Sequence, residues 1–150
     1  MAAALASGLS QSVLAGRLAA AAGEVDFATL EAFLDVLLPA DDVSPAASQL
    51  GVTAELLDLA KSAELYQKLL SLGSDWLNQT GRGPFYTLSN ANQNKVVAWM
   101  STSDTDQIPG RFYQLVRQSG VEIYYSHPEA INGFPLNPAP QPNGYLPPWQ

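Results

Sequence analysis

Few side chains in this sequence could do chemistry. Asp41 and Asp42 stand side by side, and His127 is the single histidine of the 150-residue chain. Adjacent carboxylates can hold a hard cation or exchange protons, and a histidine can serve beside them as ligand or base. The same residues fit plainer roles: two acids in a turn before Ser44-Pro45 make a cap and a solvated corner, and a histidine before a proline anchors a loop. With no second histidine and no HxxxH pair, a metal site would rest on carboxylates. Cysteine is absent, which removes disulfides, thiolate catalysis, zinc knuckles, iron–sulfur ligation and covalent c-type haem attachment. No GxSxG elbow occurs, and a triad would have to be built on His127 without a supporting motif. The GRGP run at Gly81 lacks the preceding strand and the following helix that a phosphate loop needs, so it reads as a turn.

The totals narrow the class further. A chain of this length makes one domain with a sizeable core. It is 47 % hydrophobic, only 14 % charged, and carries a net charge of −7. The basic residues are scattered from Arg17 to Arg117 and form no patch, which argues against nucleic acid and anionic membrane surfaces. So low a charge density suits a surface partly covered by something else, as in a subunit.

Periodicity predicts an all-α fold, a small bundle of five or six helices followed by an extended strap. Asp26 is placed to cap a helix over Phe27 to Leu38, with Phe27, Leu30, Phe33, Leu34, Leu37 and Leu38 on one face, and Pro39 ends it. Ser44 and Pro45 then open a short helix closed by Gly51. Thr53 is the expected cap of the next helix, where Leu56, Leu57, Leu59 and Ala60 lead into Leu65, Leu69, Leu72, Trp76 and Leu77; Gly73 interrupts or weakens that run. Ser89 should cap Asn90 to Met100, stapled by Phe85 or Leu88, with Val96, Val97, Trp99 and Met100 inward. Pro109 to Tyr124 supplies Phe112, Leu115, Val116 and Ile123. Both Trp76 and Trp99 fall at core spacing.

The two ends differ from this middle. Residues 1–25 are Ala-rich, with Leu5, Leu9, Val13, Leu14 and Leu18 at near-helical spacing, too weakly apolar to span a membrane. Two readings stand: the rear of a twin-arginine export signal, with small residues around LAAAAGE suited to a peptidase, or an Ala-rich helix packed on the domain. Residues 26–126 form the helical domain and 127–150 the strap. Seven of the eleven prolines lie beyond His127, which pushes the backbone to polyproline-II or turn geometry. Tyr124, Tyr125, His127, Phe134, Tyr145 and Trp149 are spaced along this end as partner-binding anchors. A preformed strap loses little entropy on docking, and Trp149, after two prolines, persists near the end only if something buries it.

The run FATLEAFLDVLLPADDVSPAASQLGV, an apolar helix followed by LLPADD, SP and a turn into GV, resembles the gluconate 2-dehydrogenase subunit 3 family. The later runs PFYTLSNANQNKVVAWM and IPGRFYQLVRQSGVEIYYSHPEAI are similar to it as well, so the likeness covers Phe27 to Ile131. It implies a non-catalytic small subunit accompanying a large flavin-dependent sugar or polyol dehydrogenase of the glucose–methanol–choline type. On that reading FAD and the chemistry sit on the large subunit, no cofactor sits on this chain, a multihaem cytochrome c is a further partner, and the small subunit travels with its folded partner to the periplasm. The twin arginine of such subunits does not occur in this sequence. Two alternatives remain open: a metal-dependent enzyme using Asp41, Asp42 and His127, and a helical module binding a small apolar ligand in a closed pocket.

Overall fold

A computed structural model gives the fold, and the residues it describes are 24–132. Six helices and two 3₁₀ turns follow in order, with no strand among the described residues: α1 (Phe27–Leu37), a turn at Ser48–Leu50, α2 (Val52–Ala60), α3 (Glu64–Asn78), a turn at Phe85–Thr87, α4 (Asn90–Ser101), α5 (Ile108–Tyr124) and α6 (Pro128–Ile131). The all-α expectation therefore holds. The export-signal readings of the first residues, and the anchors Phe134, Tyr145 and Trp149, lie outside the described residues.

Two helices carry the packing. Both α1 and α5 touch α2, α3 and α4, as well as each other, so the core is the space between those two rods and the helices wrapped on them. Leu30, Phe33 and Leu34 of α1 meet Phe112 and Val116 of α5, all fully buried, with Leu56, Leu70, Leu77, Phe85 and Met100 closing the sides. The Phe33 and Phe112 rings lie 5.1 Å apart and tilted by 60°, a favourable arrangement for two quadrupoles. Gly73 lets α3 approach this ring pair. A β-carbon there would fall inside the Phe112 ring, so the glycine that looked like a weak point in the helix is what permits the contact.

The start of α1 is tied to the end of α3 by polar groups. Asp26 is the expected cap: its Oδ1 accepts from the Thr29 amide at 3.2 Å. Asn78, the last residue of α3, donates to Asp26 Oδ2 at 2.8 Å, while its Oδ1 accepts from the Thr29 hydroxyl at 2.6 Å and the Phe85 amide at 2.9 Å. One amide side chain thus joins three elements. Burial acts to raise the Asp26 carboxyl, but the hydrogen bonds from Asn78 and Thr29 outweigh it and hold the group below its ordinary 3.8. A carboxyl depressed by folding stabilises the fold above its unfolded value and loses that contribution as pH falls through the folded one. Asp26→Ala should therefore cost about 1 kcal/mol near neutrality, a typical cap value. The deficit should narrow below pH 3.8, which urea melts at stepped pH would register.

Several local expectations are corrected. Thr53 does not cap α2: Gly51, at φ 73°, both closes the Ser48–Leu50 turn and begins α2, leaving no room for a separate cap. Thr53 is instead buried inside the first turn, its hydroxyl without a partner. Nor does Ser44-Pro45 open a helix; the short turn starts later, and Asp35 Oδ1 accepts from the Ser48 amide at 2.8 Å. The long leucine pattern splits into α2 and α3 at Lys61–Ala63, which leaves Leu65 exposed on the first turn of α3. Ser89 sits at the N-cap of α4 but makes no side-chain cap bond. Finally, the strap does not begin at His127, because Pro128 occupies the first position of a four-residue helix, where its missing N–H is no loss.

Candidate partner-docking surfaces

The acidic corner is built as a bracket. Asp41 Oδ1 accepts from the amides of Val43 at 2.9 Å and Ser44 at 2.7 Å, and the Asp41 amide donates back to Ser44 O at 2.9 Å. This is an Asx-type turn, and it occupies the carboxylate. Asp42 is exposed beside it. The turn delivers Pro45, whose carbonyl accepts the Tyr124 hydroxyl at 2.7 Å. Burial pushes that phenol above its ordinary 10.0, so it stays a proton donor across the neutral range. The LLPADD and SP residues thus clamp the end of α5 to the end of α1.

The expected anchors separate here. Tyr124 is 3 % exposed and belongs to its own core, which leaves no area for a partner. Tyr125, the next residue, is 46 % exposed and stands edge-on to it at 5.1 Å. His127 lies between them and α6, with Nε2 2.9 Å from Glu55 Oε1 of α2. The two are close enough to pair as ions, although no hydrogen bond of normal direction forms at that nitrogen. His127 is therefore engaged with Glu55, not shown with Asp41 and Asp42, and among the described residues no group of three or more histidine, cysteine or acidic side chains could hold a metal.

A second surface was not foreseen. Trp76 of α3 is partly buried at the edge of the core and Trp99 of α4 lies outside it: their rings stack at 5.5 Å, within 12° of parallel, and Trp99 is 53 % exposed. The reason is phase. The buried side of α4 runs through Gln93, Val97 and Met100, and Trp99 falls about 100° around the helix from Met100. On α3 the buried side is Leu69, Leu70, Gly73, Ser74 and Leu77, which leaves Trp76 on the flank. With Thr80, Lys95 and Val96 the two indoles line an open groove of about 340 Å³. A further groove of about 400 Å³ lies between α1 and α4, lined by Asp35, Val36, Asn90 and Gln93 among others. The signal that could have found the tryptophan pair was the offset of one residue from each helix's apolar stripe.

No helix among the described residues is long and apolar enough to cross a membrane. Comparisons with curated proteins and with solved structures return no match. A family model described as "Gluconate 2-dehydrogenase subunit 3" matches residues 24–137, the whole of the helical domain just described. That match covers well over half of the chain, and the chain belongs to the gluconate 2-dehydrogenase subunit 3 family.

Proposed function

We propose that this chain is a non-catalytic small subunit that stabilises a large FAD-dependent dehydrogenase of the glucose–methanol–choline type, acting on a sugar, glycoside or polyol. The family match over residues 24–137 carries the reading. It is supported by the use of the chemically capable residues: Asp41 is engaged by backbone amides and His127 by Glu55. The flavin and the reacting atoms belong to the partner, a cytochrome c takes the electrons onward, and the assembled pair works in the periplasm after export. Tyr125, at the end of α5, and Phe134, Tyr145 and Trp149 of the strap are the aromatic share of the interface.

Expression of the large flavoprotein with and without this chain tests the proposal. Soluble, flavin-loaded protein should rise several-fold with the chain present and fall back when residues 133–150 are deleted. The chain purified alone should carry no flavin and no dehydrogenase activity. A flavoprotein equally soluble and active without it would overturn the stabilising role.

A further inference from the structure

The Trp76–Trp99 groove lies in an unusual stretch of the chain. From Trp76 to Ser103 there is no aspartate or glutamate, in a protein with 14 of them, and the two charges present are Arg82 and Lys95. Asp75 and Asp104 bound the stretch on either side. Lys61, just past the end of α2, and Lys68 of α3 each meet a carboxylate about one turn back along the chain, at Asp58 and Glu64. Neither Arg82 nor Lys95 makes an ion pair among the described residues, although the chain is strongly acidic. Thus a half-exposed indole stacked on a second one and an unpaired ammonium occur together on one groove, whose lining of Trp76, Thr80, Lys95, Val96 and Trp99 contains no acid.

We infer that the Trp76–Trp99 groove is a docking site for the large flavoprotein subunit, which lays an apolar side chain over Trp99 and brings a carboxylate to Lys95. Charge selects this occupant. A two-fold pairing of this groove with its copy would set Lys95 against its own equivalent, since the lining supplies no acid, whereas a different chain can carry the complementary carboxylate. A large, rigid indole already held by its neighbour is also the kind of group that dominates binding, because little freedom is lost when it is covered. The inference rests on the subunit reading proposed above and adds to it the face of the domain that makes the contact.

The test uses the full chain co-expressed with the large flavoprotein, comparing wild type with Trp99→Ala, Lys95→Glu, Lys95→Arg and, as a control on another exposed apolar residue, Leu65→Ala. Thermal melts of each isolated chain establish that it folds. Trp99→Ala should weaken the complex about 10- to 100-fold, as expected for a central aromatic anchor. Lys95→Glu should weaken it about tenfold with a reduced dependence on salt, while Lys95→Arg and Leu65→Ala stay near wild type. Since Lys95 is exposed, its reversal reports on docking even if removal of Trp99 disturbs folding. A wild-type complex indifferent to both Trp99→Ala and Lys95→Glu overturns the docking face while leaving the subunit reading intact. An isolated chain that dimerises and loses the dimer in Trp99→Ala assigns the groove to a second copy and also overturns it. Absence of any wild-type complex is the separate failure of the subunit reading itself.

Discussion

Gly73→Val is expected to abolish folding of the domain, and Gly73→Ala to destabilise it severely. In an exposed helix, alanine in place of glycine gains about 1 kcal/mol. Here the sign reverses, because the added β-carbon would overlap the Phe112 ring near its root, not at a flexible tip. Phe112 is fully buried and already lies 5.1 Å from Phe33, so it has nowhere to retreat. Forcing α3 away from α5 would open the centre of the core, and overpacking of this kind costs about 3 kcal/mol or more, a large share of the stability of a small domain. Circular dichroism melts of wild type, Gly73→Ala, Phe112→Leu and the double variant would measure it. The double variant should be less destabilised than the sum of the singles, since the smaller side chain makes room for the new methyl. A Gly73→Ala protein as stable as wild type would show that the two helices have slack that the structure does not show.

Asn78→Leu is the second large effect. The change keeps the volume but removes the donor to Asp26 and the shared acceptor of the Thr29 hydroxyl and the Phe85 amide. Thr29 can turn to Asp26 Oδ2, which already lies 3.1 Å from its hydroxyl. The Phe85 amide has no such alternative in view, and the Asp26 carboxylate loses one of its supporting bonds. An orphaned buried donor together with a weakened charged bond should cost about 3 kcal/mol. Asn78→Asp makes an informative contrast: it keeps an acceptor for Phe85 but sets a second carboxylate beside Asp26, so most of its deficit should vanish on acidification. Asn78→Leu should recover only the part that came from the Asp26 carboxylate and keep the part that comes from the Phe85 amide. Denaturant titrations at neutral and acidic pH would separate the two. If Asn78→Leu melted with wild type, the knot joining α1, α3 and the Phe85 turn would be incidental to the fold.

Both effects mark the boundary of what a sequence shows. Helix existence was readable from the period of the apolar residues, and the Asp26 cap and the Gly51 turn from residue type alone, because these are decided within a few positions of chain. Contacts between distant segments were not. Nothing near Asn78 announces that it will meet Asp26, and nothing near Gly73 announces Phe112. The tryptophans show the same limit in another form: both fall at core spacing when large apolar residues are counted, yet the buried stripes pass one residue away, which leaves Trp76 at the edge of the core and Trp99 outside it. Tyr124 and Tyr125, neighbours in the chain with their rings in contact, differ in burial for the same reason, one hydroxyl reaching Pro45 and the other ring lying half exposed.

The acidic corner illustrates why a recognisable block need not be a reactive one. Asp41 holds its own turn, and the turn positions the carbonyl that receives Tyr124, so the LLPADD and SP residues act as a splice between the ends of α1 and α5. On the proposed reading the chemistry belongs to a partner, and this domain contributes rigidity and exposed aromatic surface. Trp99, stacked on Trp76, and Tyr125 offer that surface.

The most direct test of this account is the mass and composition of the species formed when the chain is co-expressed with the large flavoprotein, by size-exclusion chromatography with light scattering and flavin absorbance. The account predicts one stable yellow complex containing both chains in a fixed ratio, with dehydrogenase activity that follows the complex through the column. A colourless monomer of this chain, eluting apart from a fully active flavoprotein, would contradict it.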